Sequence, residues 1–161
     1  MFQFSVWVDA DSFPRTARDF VENYAFSKTV QVKFVANREI KTKNQNTKMI
    51  ICEKGANSAD NYIFDNAAPN DIVLTRDLPF AARLVEKKIC VMNDRGLIFN
   101  SENIEEKLRE REFSLNLSAI GLGENKGNYY GEKELKKFST TFEKKLQDKI
   151  MIEIYKVKNE K

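Results

Sequence analysis

Residues 5–14 read SVWVDADSFP: an apolar, β-branched run that stops at two carboxylates, Asp9 and Asp11, with Pro14 close behind. Residues 2–8 predict a buried strand. Residues 13–25 place Ala17, Phe20, Val21 and Tyr24 at helical spacing, with Pro14 allowed in the first turn. The two acids therefore sit in a strand-to-helix turn. A second stretch, DIVLTRDLPF at 71–80, repeats the design: a wholly apolar strand over 72–75, as expected for burial on both faces, then Asp77, then Pro79 opening a helix. Two such turns predict an open α/β sheet with acids at the carboxyl ends of its strands, where ligands of such sheets bind.

Working outward, residues 30–36 alternate like a strand and 49–52 form a short one. Residues 58–67 read as a helix with Ala59, Tyr62 and Ile63 inward. A helix follows over 78–87 and a strand over 89–92. Next come the turn NDRG, a further short strand over 97–99, and a helix over 101–112 with Ser101 as N-cap. The alternation predicts a three-layer α/β/α domain with a central, mostly parallel sheet over residues 1–120. Residues 121–128, GLGENKGN, read as a linker. Residues 132–148 read as a charged helix with Leu135, Phe138, Phe142 and Leu146 on one stripe, so that 121–161 form an extension packed on the same domain. The alternation over 150–157 leaves an extra strand and a frayed helix both open.

The chain has 161 residues, 42% hydrophobic and 32% charged, a composition of soluble globular proteins. No apolar run reaches the length of a membrane span, and no signal-peptide pattern precedes Asp9, so the expected location is the cytoplasm. Cys52 and Cys90 lie in separate apolar segments and read as reduced core thiols. There is no histidine. That excludes Ser-His-Asp and Cys-His catalysis and the imidazole-based zinc and iron sites. A catalytic metal must be held by oxygens, which favour Mg²⁺ or Mn²⁺.

If the strands ending at Val8 and Thr75 are neighbours, Asp9, Asp11 and Asp77 share one rim. Carboxylates that close raise one another's pKa unless a cation lies among them. Asp60 is a fourth candidate, and Asp94, with Asn93 beside it as a neutral oxygen donor, a fifth. Each has a plainer reading: Asp11 and Asp77 as helix caps, Asp60 as a solvated helix residue, Asp94 as a turn former. Asp9 ends a strand too early to cap. Between Lys33 and Lys48 the chain is basic and polar, either a solvated loop or one that tracks phosphates through Arg38, Lys41 and Lys43.

The ordered set VDADSFP, FVAN (34–37), ADNYI (59–63), DIVLTRDLPFA, NDRG and ENIEEKLRER resembles the YaiI/YqxD family of small bacterial proteins, itself similar to the PIN-like nuclease fold. The resemblance covers roughly residues 3–112 and continues weakly as YYGEKELKKF. It implies Asp9 and Asp77 as principal metal ligands and Asp11 and Asp60 as supporting ones, with Thr75, Asn37, Asn93 and Arg95 lining the site. Three positions depart from the family pattern: Phe13 replaces a cysteine, Asn57 stands where an acid is frequent, and Glu134-Leu135 replaces an acid-Arg pair. The expectation is a metal-dependent nuclease using Mg²⁺ or Mn²⁺ on RNA or single-stranded nucleic acid. Its alternatives are a haloacid-dehalogenase-like phosphatase with Asp9 as nucleophile and Asp11 as general acid, or a non-catalytic metal-stabilised module that binds RNA or protein.

Overall fold

The computed structural model describes residues 2–123 and 129–160. Residues 124–128 of the linker expected at 121–128 lie outside the described residues. Five strands, β1 (Ser5–Asp9), β2 (Gln31–Ala36), β3 (Thr47–Ile51), β4 (Ile72–Leu74) and β5 (Cys90–Met92), form one sheet in the order β3-β2-β1-β4-β5. Every pairing is parallel. Three of the four connections are helical, α1 (Arg15–Ser27), α2 (Ser58–Asn66) and α3 (Leu78–Glu86), and β2 runs to β3 through a loop. The order reverses at β1, which pairs with β2 on one side and with β4 on the other, Val6 opposite Ile72 and Val8 opposite Leu74. The two acid-ended strands are thus neighbours, and a crevice opens beyond their carboxyl ends.

Because strand side chains alternate between faces, the sheet divides one hydrophobic core into two layers. Val6, Val8, Phe34, Ile72, Leu74 and Met92 face α1 and α5 (Glu132–Asn159). Trp7, Val35, Val73 and Val91 face α2, α3 and α4 (Ser101–Ala119). Asp9 follows Val8 and Thr75 follows Leu74, so both point to the α2–α3 side. The stripe Phe138, Phe142 and Leu146 is fully buried against α1, and Phe13 packs edge-on against Phe138 with ring centroids 5.5 Å apart. Phe13 therefore anchors the C-terminal helix.

Three expectations are corrected. Residues 97–99 form no strand: Ile98 makes a single antiparallel bridge to Met92. α4 runs seven residues beyond Glu112, and its N-cap is Asn100, not Ser101. The Asn100 carboxamide accepts from the N–H groups of Glu102 and Asn103, while Asn103 returns a bond to the Asn100 N–H, so a reciprocal box satisfies the helix start. The alternating end over 150–157 is the continuation of α5. The thiols of Cys52 and Cys90 are unpaired and half-buried, on opposite faces of the sheet.

Candidate metal and phosphate site at the sheet edge

Asp9 is the last residue of β1 and is buried, as are Thr75 and Asp60. The Thr75 hydroxyl donates to Asp9 Oδ2 at 2.9 Å and accepts from the Asp77 N–H at 3.0 Å. Asp77 in turn caps α3, its Oδ1 accepting from the Phe80 N–H at 3.0 Å. The cap reading and the site reading of Asp77 are thus both realised in one side chain. Asp60 sits in the first turn of α2, a helix entered through Asn57 in the left-handed region (φ 67°), a conformation asparagine tolerates better than most residues. The α2 entry is fixed from the other side by the Ser58 hydroxyl, which donates to Asn37 Oδ1 at 2.9 Å.

Asp9, Asp60 and Asp77 act on one another. Burial pushes the Asp9 carboxyl up from 3.8 to about 6, against the lowering effect of its Thr75 bond and with Asp77 and Asp11 adding repulsion. Burial, then repulsion by Asp9 and Asp77, pushes Asp60 up to about 7, with Arg83 opposing. Two carboxyls that titrate near neutrality within one crevice form a proton-sharing cluster.

The other predicted residues surround this cluster. Asp11 turns toward the end of β2: its Oδ2 accepts from the Asn37 N–H at 2.8 Å and its Oδ1 lies 3.6 Å from Arg38 Nε. Lys41 is exposed on the β2–β3 loop. Lys43 instead pairs with Asp19 of α1 at 2.9 Å, and its N–H donates to Glu22. On the opposite flank, Asn93 shapes its own turn by accepting from the N–H groups of Arg95 and Leu97. Asp94 pairs with Arg76 at 3.2 Å and does not join the Asp9 cluster. Burial raises its pKa, while Arg76 and Arg95 pull the other way.

Two arginines escaped the sequence reading. Arg18 donates to the carbonyls of Ala10 and Phe13, both at 2.9 Å, and so braces the turn that carries Asp11. Arg76 joins Asp94 to the Ser12 carbonyl, 3.2 Å away, and links the two strand-to-helix turns to the end of β5. The position of Arg76, between Thr75 and Asp77, was the available signal; Arg18 lay on a helix and gave none.

The donor chemistry of the cluster fits a hard divalent cation: the ligands on offer are carboxylate and hydroxyl oxygens, and a cation would relieve the repulsion that raises Asp9 and Asp60. Among the described residues, no group of three His, Cys, Asp or Glu side chains already stands in an arrangement that holds an ion. No helix among them is long and apolar enough to cross a membrane.

Residues 7–148 match the family described as Uncharacterized BCR, YaiI/YqxD family. A UPF0178 protein of Treponema denticola is 41% identical over 134 residues, covering 83% of this chain and 86% of the relative. UPF0178 proteins of Psychromonas ingrahamii and Pseudomonas entomophila are 33% and 31% identical, covering 89% and 86% of this chain and 95% and 93% of those relatives. No solved structure matches the chain significantly. The chain belongs to the YaiI/YqxD family.

Proposed function

We propose that this YaiI/YqxD-family protein is a phosphodiesterase dependent on Mg²⁺ or Mn²⁺ that acts on RNA or single-stranded nucleic acid at the carboxyl edge of β1 and β4. The observation that carries the reading is the convergence of Asp9, Asp60 and Asp77 at the point where the sheet order reverses. Asp9 and Asp77 would hold the cation, with Asp60 alongside. A cation there supplies Lewis-acid polarisation of a phosphate oxygen.

The chain's own residues supply the rest. Thr75 fixes the Asp9 carboxylate by its hydrogen bond, and its second bond, from the Asp77 N–H, locks the two turns in register. Asp60, beside the cation, would be the base: it would take a proton from the attacking water as the new P–O bond forms and the bond to the leaving oxygen breaks. The leaving oxygen is then protonated from solvent. Arg38, drawn to the rim by Asp11, and Lys41 steer the polyanion.

A phosphatase of the haloacid-dehalogenase kind needs Asp11 free to protonate a leaving group beside Asp9. Here Asp11 is engaged with the Asn37 N–H and Arg38. The decisive measurement is cleavage of a labelled single-stranded RNA in Mn²⁺. Asp9→Asn and Asp60→Asn should lower the rate by about a thousandfold, the scale seen when a central catalytic group is removed. Asp77→Asn should lower it while keeping the helix cap, since asparagine caps as well as aspartate. Undiminished cleavage by both Asp9→Asn and Asp60→Asn sinks the reading. Trapping of a fluoroberyllate adduct on Asp9 would replace it with the phosphatase.

A further inference from the structure

We propose that the face of α5 beside the 93–96 turn is a binding track for the backbone of a single-stranded nucleic acid, so that the polymer crosses the carboxylate rim between the β2–β3 loop and the C-terminal helix. This rests on the phosphodiesterase reading and adds a second arm to its substrate path.

An open cleft of 560 Å³ lies between the 93–96 turn and α5, lined by Arg95, Lys133, Lys136, Lys137, Thr140 and Thr141. Every charged side chain in that wall is cationic. Arg95 has Glu134 at 3.7 Å; none of the three lysines has an ion-pair partner among the described residues. Uncompensated cations converging on one cleft form a phosphate-binding surface.

The cleft is held rigidly to the rim. Gly96 (φ 79°) lies so close to α5 that a Cβ would meet the Lys137 carbonyl oxygen at 2.7 Å and Thr141 Oγ1 at 2.8 Å. The Tyr130 hydroxyl donates to the Asp94 carbonyl at 2.7 Å, and Asp94 holds Arg76, the neighbour of Asp77. A second, smaller cleft of 360 Å³ adjoins Asp77 itself, with Arg76 and Arg111 among its lining residues. Arg76 and Arg95 both act on Asp94, so cationic side chains stand on either side of it between Asp77 and α5.

An aromatic ring decides the polymer. Tyr129 is 77% exposed, and its carbonyl accepts from Arg95 Nη2 at 3.2 Å. Its ring lies against Gly131 at the start of α5, where a Cβ would come within 2.9 Å of a ring carbon. An exposed ring on a residue bonded to Arg95 of the cationic cleft suits a stacked base with its phosphates alongside. An acidic peptide would use the cations and leave the ring idle.

The test is the affinity of a labelled twelve-nucleotide single-stranded RNA, measured by anisotropy in EDTA so that binding is read without turnover. The triple variant Lys133→Ala/Lys136→Ala/Lys137→Ala should bind at least tenfold more weakly. Its plot of log affinity against log salt should be shallower by about 2, the loss of three phosphate contacts on a single strand. Tyr129→Ala should weaken binding about tenfold and leave the salt slope alone. All four side chains are exposed or lie on a helix surface, and unchanged melting confirms that the variants are folded. Wild-type affinity in the folded triple variant overturns the track, as does an RNA that fails to bind the wild type at all. A poly-glutamate peptide of equal length that binds as tightly as the RNA overturns it in favour of an acidic protein partner. Lysine-dependent binding with no cleavage in Mn²⁺ upholds the track and sinks the phosphodiesterase; cleavage with unaltered binding by the triple variant does the reverse.

Discussion

Two buried aspartates lie at opposite ends of the same pair of strands, and their surroundings differ. Asp71, just before β4, is 5% exposed and accepts three hydrogen bonds: from the Ser5 N–H at 2.8 Å, the Trp7 Nε1–H at 2.9 Å and the Ala68 N–H at 2.8 Å. Asp9, at the far end of β1, is 7% exposed and accepts from the Thr75 hydroxyl, while facing Asp77, Asp11 and Asp60. A buried carboxylate surrounded by donors stabilises a fold; one surrounded by acids is destabilising until something positive arrives. The amino edge of the sheet is thus structurally complete without a ligand, and the carboxyl edge is arranged for one.

The sharpest way to break this contrast is to delete each acid. Asp71→Ala strands three donors, two of them tying β1 to the segment before β4. It should cost about 4 kcal/mol of stability, at roughly 1–3 kcal/mol per buried group left unpaired with partial relaxation. Asp9→Asn keeps an acceptor for Thr75 and removes a charge from the cluster, so in EDTA at neutral pH it should melt higher than the wild type. Denaturant titration of both variants reads the two signs. If Asp9→Asn is as damaging as Asp71→Ala, the two ends are alike and the carboxyl edge is structural.

The pH dependence of stability sharpens the same point without a mutation. The folded-state pKa of Asp9 is raised from 3.8 to about 6, so the folded protein binds that proton more tightly than the unfolded chain. Its stabilisation is complete below the unfolded value and is lost as pH rises through about 6; Asp60 extends the loss toward about 7. For Asp9 alone the loss is roughly 3 kcal/mol. In EDTA the melting temperature should therefore fall between pH 5 and 8, and Asp9→Asn should flatten the profile. Mn²⁺ at pH 8 should recover much of the loss. A wild-type profile that rises over this window contradicts the cluster.

How much of this was legible in the sequence follows from the range over which each interaction acts. The strand ends at Asp9 and Asp77 were legible because an apolar run stopping at an acid is a local pattern, and the five strands and the Phe138–Phe142–Leu146 stripe were found for the same reason. Asp71, at the head of the second stretch, gave no local signal, because its partners in β1 lie 64 and 66 residues away. The end of α5 left a strand and a frayed helix both open because Met151, Ile152, Tyr155 and Val157 are exposed, and exposed apolar residues carry no burial period. Asn100 gave way to Ser101 as the expected cap because both residues favour that position, and only the return bond from Asn103 separates them. At the site, residue identity suggested which side chains were acidic, but only the packing of β2 and α2 beside β1 shows that Asp11 faces Asn37 and Arg38 while Asp9 faces Asp60.

The smallest predicted effect isolates the hydrogen bond that Thr75 gives to Asp9. Thr75 is fully buried, and its hydroxyl is both the donor to Asp9 and the acceptor for the Asp77 N–H. Thr75→Val keeps the shape and removes both bonds, at about 1–2 kcal/mol. Because that hydroxyl lowers the Asp9 pKa, its loss should also move the falling limb of the stability profile to higher pH, an effect that a packing defect does not produce. Thr75→Ser should restore the wild-type limb. A Thr75→Val protein that is less stable but keeps the wild-type limb would mean that burial and the neighbouring acids alone set the titration of Asp9, with the hydroxyl serving only to join the two turns.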